Sequence, residues 1–346
     1  MKHQTTRYGE IPFYKIGTFG NTADAFISKK LFLEYKTKYS FPKKGDILIS
    51  ASGTIGRAVV YDGKPAYFQD SNIVWIDNDE TLVKNDFLFY AYSNVKWNTE
   101  HTTILRLYND NFRNTLIPLP PLNEQSAIAN ILSALDRYLC ALDALILKKE
   151  GVKKALSFEL LSQRKRLKGF NQAWQKVRLG DIANYLISNL SAEQITQQGK
   201  IKVYDVNNFI GYTDTTFISD KPYISIVKDG SVGRVRILPP KTNILSTMGA
   251  LIANHRTTTE FLFYLLSNFD FKNFTSGSII PHIYFKDYKE KTIFLPPLNE
   301  QSAIANILSA LDNEIASLKN KKRQFENIKK ALNHDLMSAK IRVLEK

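Results

Sequence analysis

The chain contains the same eighteen-residue segment twice. LPPLNEQSAIANILSALD runs from Leu119 to Asp136 and returns unchanged from Leu295 to Asp312. A repeat of this length in a chain of 346 residues indicates one structural plan used twice. A chain of this size is also long for a single hydrophobic core, so two or more domains are expected.

Shorter matches extend the repeat before each identical segment, in the same order. FISKK at 26–30 matches FISDK at 217–221, GTIGR at 53–57 matches GSVGR at 230–234, and FLFYAYSN at 87–94 matches FLFYLLSN at 261–268. Between these matches the two copies share little, and the first has extra residues around 31–44. One scaffold therefore carries two different surfaces.

The variable part of each copy has the pattern of a mixed α/β domain with a modest sheet. Short apolar runs predict strands at 45–50, 57–61, 72–76, 225–238 and 243–248. The segments DFLFYAYSN and TEFLFYLLSN predict short helices.

Each identical segment opens a long helix. Proline is excluded from a helix interior, so Leu-Pro-Pro-Leu-Asn marks the entry, with Asn123 or Asn299 as the cap. Apolar residues then recur in steps of three and four at Ile128, Leu132, Leu135, Leu139, Leu142 and Ile146, and again at Ile304, Leu308, Leu311, Ile315 and Leu318. This heptad seam requires a second helix against it.

We expect the two long helices to pair with each other as an intramolecular antiparallel coiled coil about a pseudo-twofold axis. The alternative is that each helix joins a homodimer. The fold class is then α+β, with two α/β domains separated by two long helices. The predicted boundaries are 1–118 for the first domain, 119–168 for the first helix, 169–294 for the second domain and 295–346 for the second helix.

The composition favours a polyanionic partner. The formal net charge is +14, which indicates nucleic acid first and a membrane surface second, with a solvated lysine-rich surface as the alternative. Cys140 is the only cysteine, which excludes an internal disulfide and a thiolate zinc site. With no signal segment and no long apolar run, we expect a cytoplasmic protein that does not enter a membrane.

Motifs typical of enzymes that act on DNA do not occur in the sequence. It has no phosphate loop, no proline followed by aspartate, and its three Pro-Pro pairs all follow leucine, at Leu119, Leu238 and Leu295. The five histidines lack metal-ligand spacing. The sequence therefore predicts a non-catalytic protein with neither catalytic residues nor a metal site.

Three segments resemble the DNA-specificity subunit of type I restriction-modification systems. They are IPLPPLNEQSAIANILSALD from Ile117, RLKGFNQAWQKVRLGDIA at 166–183 and ALNHDLMSAKIRV at 331–343. Together with the duplicated layout, the resemblance covers nearly the whole chain. It implies two target-recognition domains, separated by two conserved helices, that each read one half of a split site in double-stranded DNA.

The resemblance also implies partners. The helices would set the gap between the half-sites and dock two methyltransferase subunits, which restriction/translocase subunits would join. This chain would hold no cofactor, and S-adenosylmethionine, ATP and Mg²⁺ would belong to the partner subunits.

One departure concerns the start of the first domain. Residues 170–198, which precede the second domain's YDVNNF, have no counterpart before the first domain's matching strand. The first domain is therefore expected to lack an opening strand and turn. It would be truncated, or completed by the end of the second helix or by a segment of another copy.

Cations on variable loops are the candidate DNA contacts, because arginine and lysine bind phosphates and arginine also reads guanine. Arg57 and Arg234 follow the Gly-x-x-Gly segments, whose glycines have a turn between strands as the structural interpretation. Arg106 and His282 occupy matched positions but differ, as readers of unlike half-sites would, the alternative being ordinary loop residues. Further candidate phosphate contacts, or merely solvated side chains, are Lys43, Lys44 and Lys228.

Polar residues repeated on both helices are the candidate docking surface for identical partners. They are Gln125, Ser126 and Asn130 in the first copy and Gln301, Ser302 and Asn306 in the second. Recent duplication alone is the alternative explanation of their identity. Two other functions stay open: a coiled-coil scaffold that binds DNA without sequence preference, and a nuclease with an unfamiliar site.

Overall fold

A computed structural model describes residues 4–68, 72–97 and 106–343. The chain forms two compact units, of which unit 1 comprises Met1–Asp143 and Asn320–Lys346 and unit 2 comprises Ala144–Lys319. Both limits fall inside long helices. Each long helix therefore contributes one half to each unit.

In its described residues, unit 1 contains six short strands, three short helices and one part of each long helix. The strands are β1 (Ile11–Tyr14), β2 (Phe26–Ile27), β3 (Ile47–Ser50), β4 (Ala58–Val60), β5 (Tyr67–Phe68) and β6 (Ile73–Trp75). The helices are α1 (Lys29–Lys38), α2 (Asn85–Tyr92), α3 (Asn109–Arg113), the first part of α4 (Leu122–Leu161) and the last part of α7 (Leu298–Met337). The strands predicted near 45–50, 57–61 and 72–76 are confirmed.

Two three-stranded sheets organise unit 1. In one, β1 lies between β2, which is antiparallel, and β5, which is parallel. In the other, β3 lies between β4 and β6, both antiparallel. All four residues of β3 are buried, because the aromatic side chains of the first sheet cover one face and helix α2 covers the other.

Unit 2 repeats this plan with more strands. They are β7 (Gln175–Arg178), β8 (Ala183–Ile187), β9 (Ile201–Tyr204), β10 (Phe209–Thr213), β11 (Tyr223–Val227), β12 (Val235–Leu238), β13 (Thr242–Ile244), β14 (Met248–Ala253), β15 (Thr275–Ser276), β16 (His282–Ile283) and β17 (Thr292–Leu295). The helices are the rest of α4, α5 (Thr259–Ser267), α6 (Phe285–Tyr288) and the first part of α7 (Leu298–Met337).

The main sheet of unit 2 has the order β12-β11-β14-β8 and is antiparallel throughout. A second sheet has the order β10-β9-β13, and β15 pairs with β16 and β17 with β7. The single strand predicted at 243–248 is wrong. The chain turns after Ile244 and enters β14, whose small residues Gly249 and Ala250 weaken the apolar pattern that would have revealed it.

Strands β7 and β8 have no counterpart among the described residues of unit 1. There β6 pairs only with β3, whereas in unit 2 the matching strand β14 also pairs with β8. The leucine before the double proline differs in exposure between the two units: Leu295 in β17 is 4% exposed, whereas Leu119 is 51% exposed. Among the described residues, the β4-β3-β6 sheet of unit 1 therefore ends at β6.

Within unit 1 the beginning of α4 packs against the end of α7. Lys329 Nζ lies 2.5 Å from Asp136 Oδ1 and Lys322 Nζ lies 2.7 Å from Asp143 Oδ1. Since residue numbers rise along one helix and fall along the other, the two segments run antiparallel.

Within unit 2 the end of α4 packs against the beginning of α7, again antiparallel. Lys149 Nζ lies 2.8 Å from Glu314 Oε1, and Lys153 Nζ lies 2.5 Å from Asp312 Oδ1. Lysines that interrupt the apolar seam in the sequence are therefore ion-paired across it.

The two asparagines predicted as helix caps lie one residue inside the helices instead. Helices α4 and α7 begin at Leu122 and Leu298, so Asn123 and Asn299 lie inside the first turn. Their side-chain oxygens accept hydrogen bonds from the next backbone N–H, at 3.0 and 2.9 Å.

We predict that Leu132→Ala destabilises unit 1 by about 3–5 kcal/mol, because Leu132 is fully buried among side chains of α2 and α7. The neighbouring Ile131 is 38% exposed, so Ile131→Ala is the matched control, with a cost below about 1 kcal/mol. Chemical denaturation followed by circular dichroism measures both. Equal losses for the two variants would contradict the packing described here.

Candidate nucleic-acid interface

The Gly-x-x-Gly segments form the turns that the sequence predicts. Gly53 and Gly56 join β3 to β4, Gly230 and Gly233 join β11 to β12, and all four have φ between 69° and 85°. A β-carbon on Gly56 would meet Trp97, and one on Gly233 would meet Phe271 at 2.6 Å. Both the left-handed backbone and the close packing therefore require glycine.

In both units the glycine turn lies beside the second candidate DNA-contacting residue, the reading position, which is Arg106 in unit 1 and His282 in unit 2. An isolated β-bridge joins Ser52 to Arg106 in unit 1, and its counterpart joins Asp229 to His282 in unit 2. Two sequence segments about fifty residues apart are thus brought together twice, at the same place on the same scaffold. We call each of these places a turn site, defined by Ser52, Arg106 and Arg57 in unit 1 and by Asp229, His282 and Arg234 in unit 2.

The unit 1 turn site holds its arginine through an amide. Asn72 Oδ1 accepts a hydrogen bond from Arg106 Nη2 at 3.2 Å and another from Ser52 Oγ at 3.0 Å. Arg106 is half-buried, and a guanidinium group has five N–H donors. The bond to Asn72 therefore orients the group without using its capacity to bind a ligand.

The unit 2 turn site holds a histidine through a carboxylate. His282 Nδ1 lies 2.6 Å from Asp229 Oδ1 and the side chain is 35% exposed. Because a carboxylate accepts hydrogen bonds, Nδ1 donates, and Nε2 is the ring nitrogen left to meet a ligand. Lys228 Nζ lies 4.0 Å from Asp229 Oδ2, so a second cation adjoins the site.

The arginines after the turns anchor the neighbouring loop in each unit. Arg57 Nη1 donates to Phe19 O at 3.0 Å, and Arg234 Nη2 donates to Asn207 Oδ1 at 2.8 Å. Both acceptors lie in the loop after the first matched strand, β1 or β9. Both arginines are exposed, so the described bonds give them a structural role and leave other N–H donors at the surface.

Lys43 and Lys44 do not belong to the unit 1 turn site. They precede β3, whereas the glycine turn follows it. Lys43 Nζ lies 3.0 Å from Asp77 Oδ1, and this hydrogen bond raises the pKa of Lys43. Both lysines are exposed.

Two of the six expected docking residues are used inside the units. Gln125 is 1% exposed and Gln301 is fully buried. The Gln301 amide donates to Pro296 O and Arg256 O at 2.8 and 2.9 Å and accepts from Thr258 N at 3.0 Å.

The Gln125 amide repeats this arrangement with Pro120 O, Leu82 O and Lys84 N. These two residues therefore drop out of the docking surface, because a buried amide with its hydrogen bonds made inside the unit has none to offer a partner. The exposed residues of the set are Ser126, Asn130, Ser302 and Asn306.

A buried glutamate at the start of each long helix was missed from the sequence. Glu124, 2% exposed, receives Arg342 Nε at 2.7 Å and Nη2 at 2.5 Å. Glu300, fully buried, receives Arg166 at 3.1 and 2.6 Å. In each unit the arginine lies just after the C-terminal end of the long helix that does not carry the glutamate: Arg166 follows α4 and Arg342 follows α7. Arg166 and Arg342 occupy matched positions of the repeat, and this signal could have revealed the pair.

A second repeated contact joins each short helix to both long helices. Asp136 accepts from Tyr90 Oη at 2.8 Å and pairs with Lys329, and Asp312 accepts from Tyr264 Oη at 2.9 Å and pairs with Lys153. Burial, reinforced by Asp136, raises the pKa of Tyr90. The contact fixes how each α/β part sits on the helices of its own unit.

Neither unit shows a metal centre or a membrane segment in its described part. Within 4–68, 72–97 and 106–343 no group of three or more His, Cys, Asp or Glu could hold a metal ion. No helix in the same ranges is long and apolar enough to cross a membrane.

Known proteins resemble the chain over most of its length. A family model described as the type I restriction modification DNA specificity domain matches residues 1–149 and 171–327. A putative type I restriction enzyme specificity subunit of Haemophilus influenzae, S.HindORF215P, is 64% identical over 133 residues, which is 38% of this chain and 34% of that protein. The putative MjaX specificity subunit of Methanocaldococcus jannaschii is 28% identical over 335 residues, covering 86% of this chain and 79% of that protein.

Solved structures share the fold. The type I restriction-modification S subunit of M. genitalium superposes with a TM-score of 0.63 at 21% identity, covering 97% of this chain and 91% of that one. A chain from a study of the assembly and conformational transition of a type I R-M system superposes with a TM-score of 0.55 at 17% identity, covering 85% and 82%.

We predict that Arg342→Ala lowers the thermal midpoint of unit 1 at pH 7 and that this deficit shrinks in acid. The hydrogen bonds from Arg342 hold the pKa of Glu124 below its usual 4.5. A carboxylate whose folded pKa is lowered stabilises the fold above the ordinary value, and the effect is lost as pH falls through the lowered value. Thermal scans between pH 7 and pH 3 measure it.

The control is Arg323→Ala, since Arg323 is exposed and bonds only weakly to Asn320 at 3.3 Å. Its deficit should be small at every pH. A deficit for Arg342→Ala that is the same at pH 3 as at pH 7 would contradict the described pairing.

Proposed function

The chain belongs to the family of type I restriction-modification DNA specificity proteins, and on this premise we propose that each of its units reads one half of a split DNA site. The chain itself is a non-catalytic subunit. Its target-recognition domains are residues 1–118 and 169–294, and its conserved helices are residues 119–168 and 295–346. Methylation and cleavage are then carried out by partner subunits, which hold S-adenosylmethionine, ATP and Mg²⁺.

The observation that carries the proposal is the pair of turn sites. The backbone frame is the same in both units, down to the bridge between the turn and the reading position. The side chains on the frame differ: an arginine held by an asparagine in one, a histidine held by an aspartate in the other. Equal frames with unlike donors suit two unlike sets of base edges.

Cations around the turn sites supply affinity. Arg57 and Arg234 belong to the turn sites and Lys228 adjoins the one in unit 2, while Lys43 and Lys44 are exposed cations of unit 1 before β3, outside the turn site. Phosphate contacts of this kind fix the position of a protein on the duplex and carry no sequence information. With a net charge of +14, binding should weaken steeply as salt rises.

The long helices give the complex its spacing and its docking surfaces. In each unit the two helices pack antiparallel through seam residues and ion pairs, and we extend this to one coiled coil about a pseudo-twofold axis. Ser126 and Asn130 recur as Ser302 and Asn306, all exposed. Two equal surfaces suit two identical methyltransferase subunits, through which restriction subunits join.

Methylation mapping tests the function directly. Cells that carry the chain together with its methyltransferase subunits should show methyladenine in one split motif, two fixed half-sites separated by a constant gap. A coiled-coil scaffold that binds DNA without sequence preference, the second candidate, would give no motif. Purified chain alone, with Mg²⁺ and plasmid, should leave the DNA intact, and cutting would reject the non-catalytic assignment.

We predict that reading-position variants act on one half-site each. Arg106→Ala should relax discrimination in one half by about 1–3 kcal/mol per base pair contacted, and His282→Ala should do so in the other half. Each variant is the control for the other, because the scaffold is shared. Binding of the complex to a library randomised in one half at a time measures the effect. Loss spread evenly over both halves would contradict separate reading.

We predict that removal of one heptad from both helices shortens the gap. Deleting residues 141–147 and 318–324 removes segments that face each other, since Asp143 pairs with Lys322. Seven helical residues span about 10 Å, so the gap should shrink by about 3 base pairs. Deletion from one helix only is the control and should disrupt the pairing. A changed half-site sequence with an unchanged gap would contradict the assigned role of the helices.

A further inference from the structure

We propose that Ile279 in unit 2 reads the methyl group of a thymine. The proposal rests on the proposed function and adds an apolar contact to the polar reading positions. Its starting point is exposure: Ile279 is 92% exposed and its neighbour Ile280 is 55% exposed. A single exposed apolar residue needs no explanation, but two adjacent isoleucines at the tip of a hairpin beside the turn site do.

The hairpin formed by β15 and β16 is tied to the turn site at several points. Gly230 N donates to Pro281 O and Ile283 N donates to Lys228 O, both at 2.9 Å, and Asp229 bridges His282. The segment that follows the tip, Pro281 to Ile283, is therefore held against the glycine turn. A fixed position lowers the entropy lost when a side chain binds.

The tip is a five-residue loop, 277–281, between the paired residues Ser276 and His282. Gly277 has φ +88°, and a β-carbon there would collide with the carbonyl of Ile280. Only glycine therefore permits this closure, which brings Ile279 and Ile280 to the end of the hairpin. The loop therefore depends on Gly277 and leaves the side chains of Ile279 and Ile280 exposed to solvent.

The surroundings select DNA as the occupant. His282 is at the first position of β16, Lys228 bonds to the same strand through its backbone, and Arg234 ends the glycine turn. An exposed apolar tip near Lys228 and Arg234 suits a polyanion that carries an apolar group. The major groove admits a two-stranded β-ribbon, and the thymine C5 methyl is the apolar group that it displays.

Thymine-to-deoxyuridine substitution tests the contact, because it removes only that methyl. The assembled complex with its methyltransferase subunits is titrated with duplexes in which each thymine of the split site is replaced in turn. We expect one position at which deoxyuridine raises Kd about fourfold, the effect of burying one methyl group. Ile279→Ala should raise Kd similarly on thymine DNA and should bind thymine and deoxyuridine equally at that position.

The control is Ile187→Ala, an exposed isoleucine (59%) on β8, the strand at the opposite edge of the sheet from β12. It should bind both DNAs as the unmodified complex does. Additive losses in Ile279→Ala and deoxyuridine, insensitivity at every thymine, or a site without thymine would each overturn the contact. Absence of any split motif would instead reject the proposed function, so the two failures are distinguishable.

Discussion

A buried carboxylate at the start of each long helix is the constraint on which the rest depends. Glu300 has no exposure to solvent, and an isolated charge in such a place would be strongly unfavourable. Arg166 and the indole N–H of Trp174 satisfy it, at 2.6 and 2.9 Å. Since Arg166 follows the end of the opposite helix, this requirement fixes how far the two helices overlap within unit 2, and Arg342 does the same for Glu124 in unit 1.

Because the buried glutamate–arginine pairs hold the helices of each unit, the loops around the glycine turns can differ in sequence. Where the repeat is identical, its residues form the start of the long helix, the glutamine bonds to the segment before the short helix, and the aspartate contact with tyrosine and lysine. Where the copies diverge, the side chains surround the glycine turns. The side chains at positions 106 and 282 can therefore change without disturbing the contacts that place each α/β part on its helices.

Local patterns in the sequence predicted much of this fold. Glycine spacing gave the turns, periodic leucines gave the helices, and apolar runs gave strands β3, β4, β6, β11 and β12. Strand β14 was missed because Gly249 and Ala250 interrupt its apolar pattern. The burial of Gln125 and Gln301 was missed because polarity suggests a surface, and only tertiary contacts show that backbone groups satisfy both amides.

The candidate site was harder to predict than the fold. Matched positions identified Arg106 and His282, but their partners Asn72 and Asp229 lie 34 and 53 residues away. The buried ion pairs Arg166–Glu300 and Arg342–Glu124 join residues that lie 134 and 218 positions apart in the sequence. No period or propensity reports such a distance, although the repeat itself aligns Arg166 with Arg342.

The division of the long helices has a consequence for biosynthesis. Unit 2 is one unbroken stretch, whereas unit 1 joins its first 143 residues to residues 320–346. Leu336 and Met337 complete the cluster around Phe87 and Leu132, and the ribosome adds them only after all of unit 2 has been synthesised. The part made first therefore closes last, in reverse of the usual order of nascent domains. Until then the apolar surface around Leu132 lacks the side chains of the second long helix that cover it.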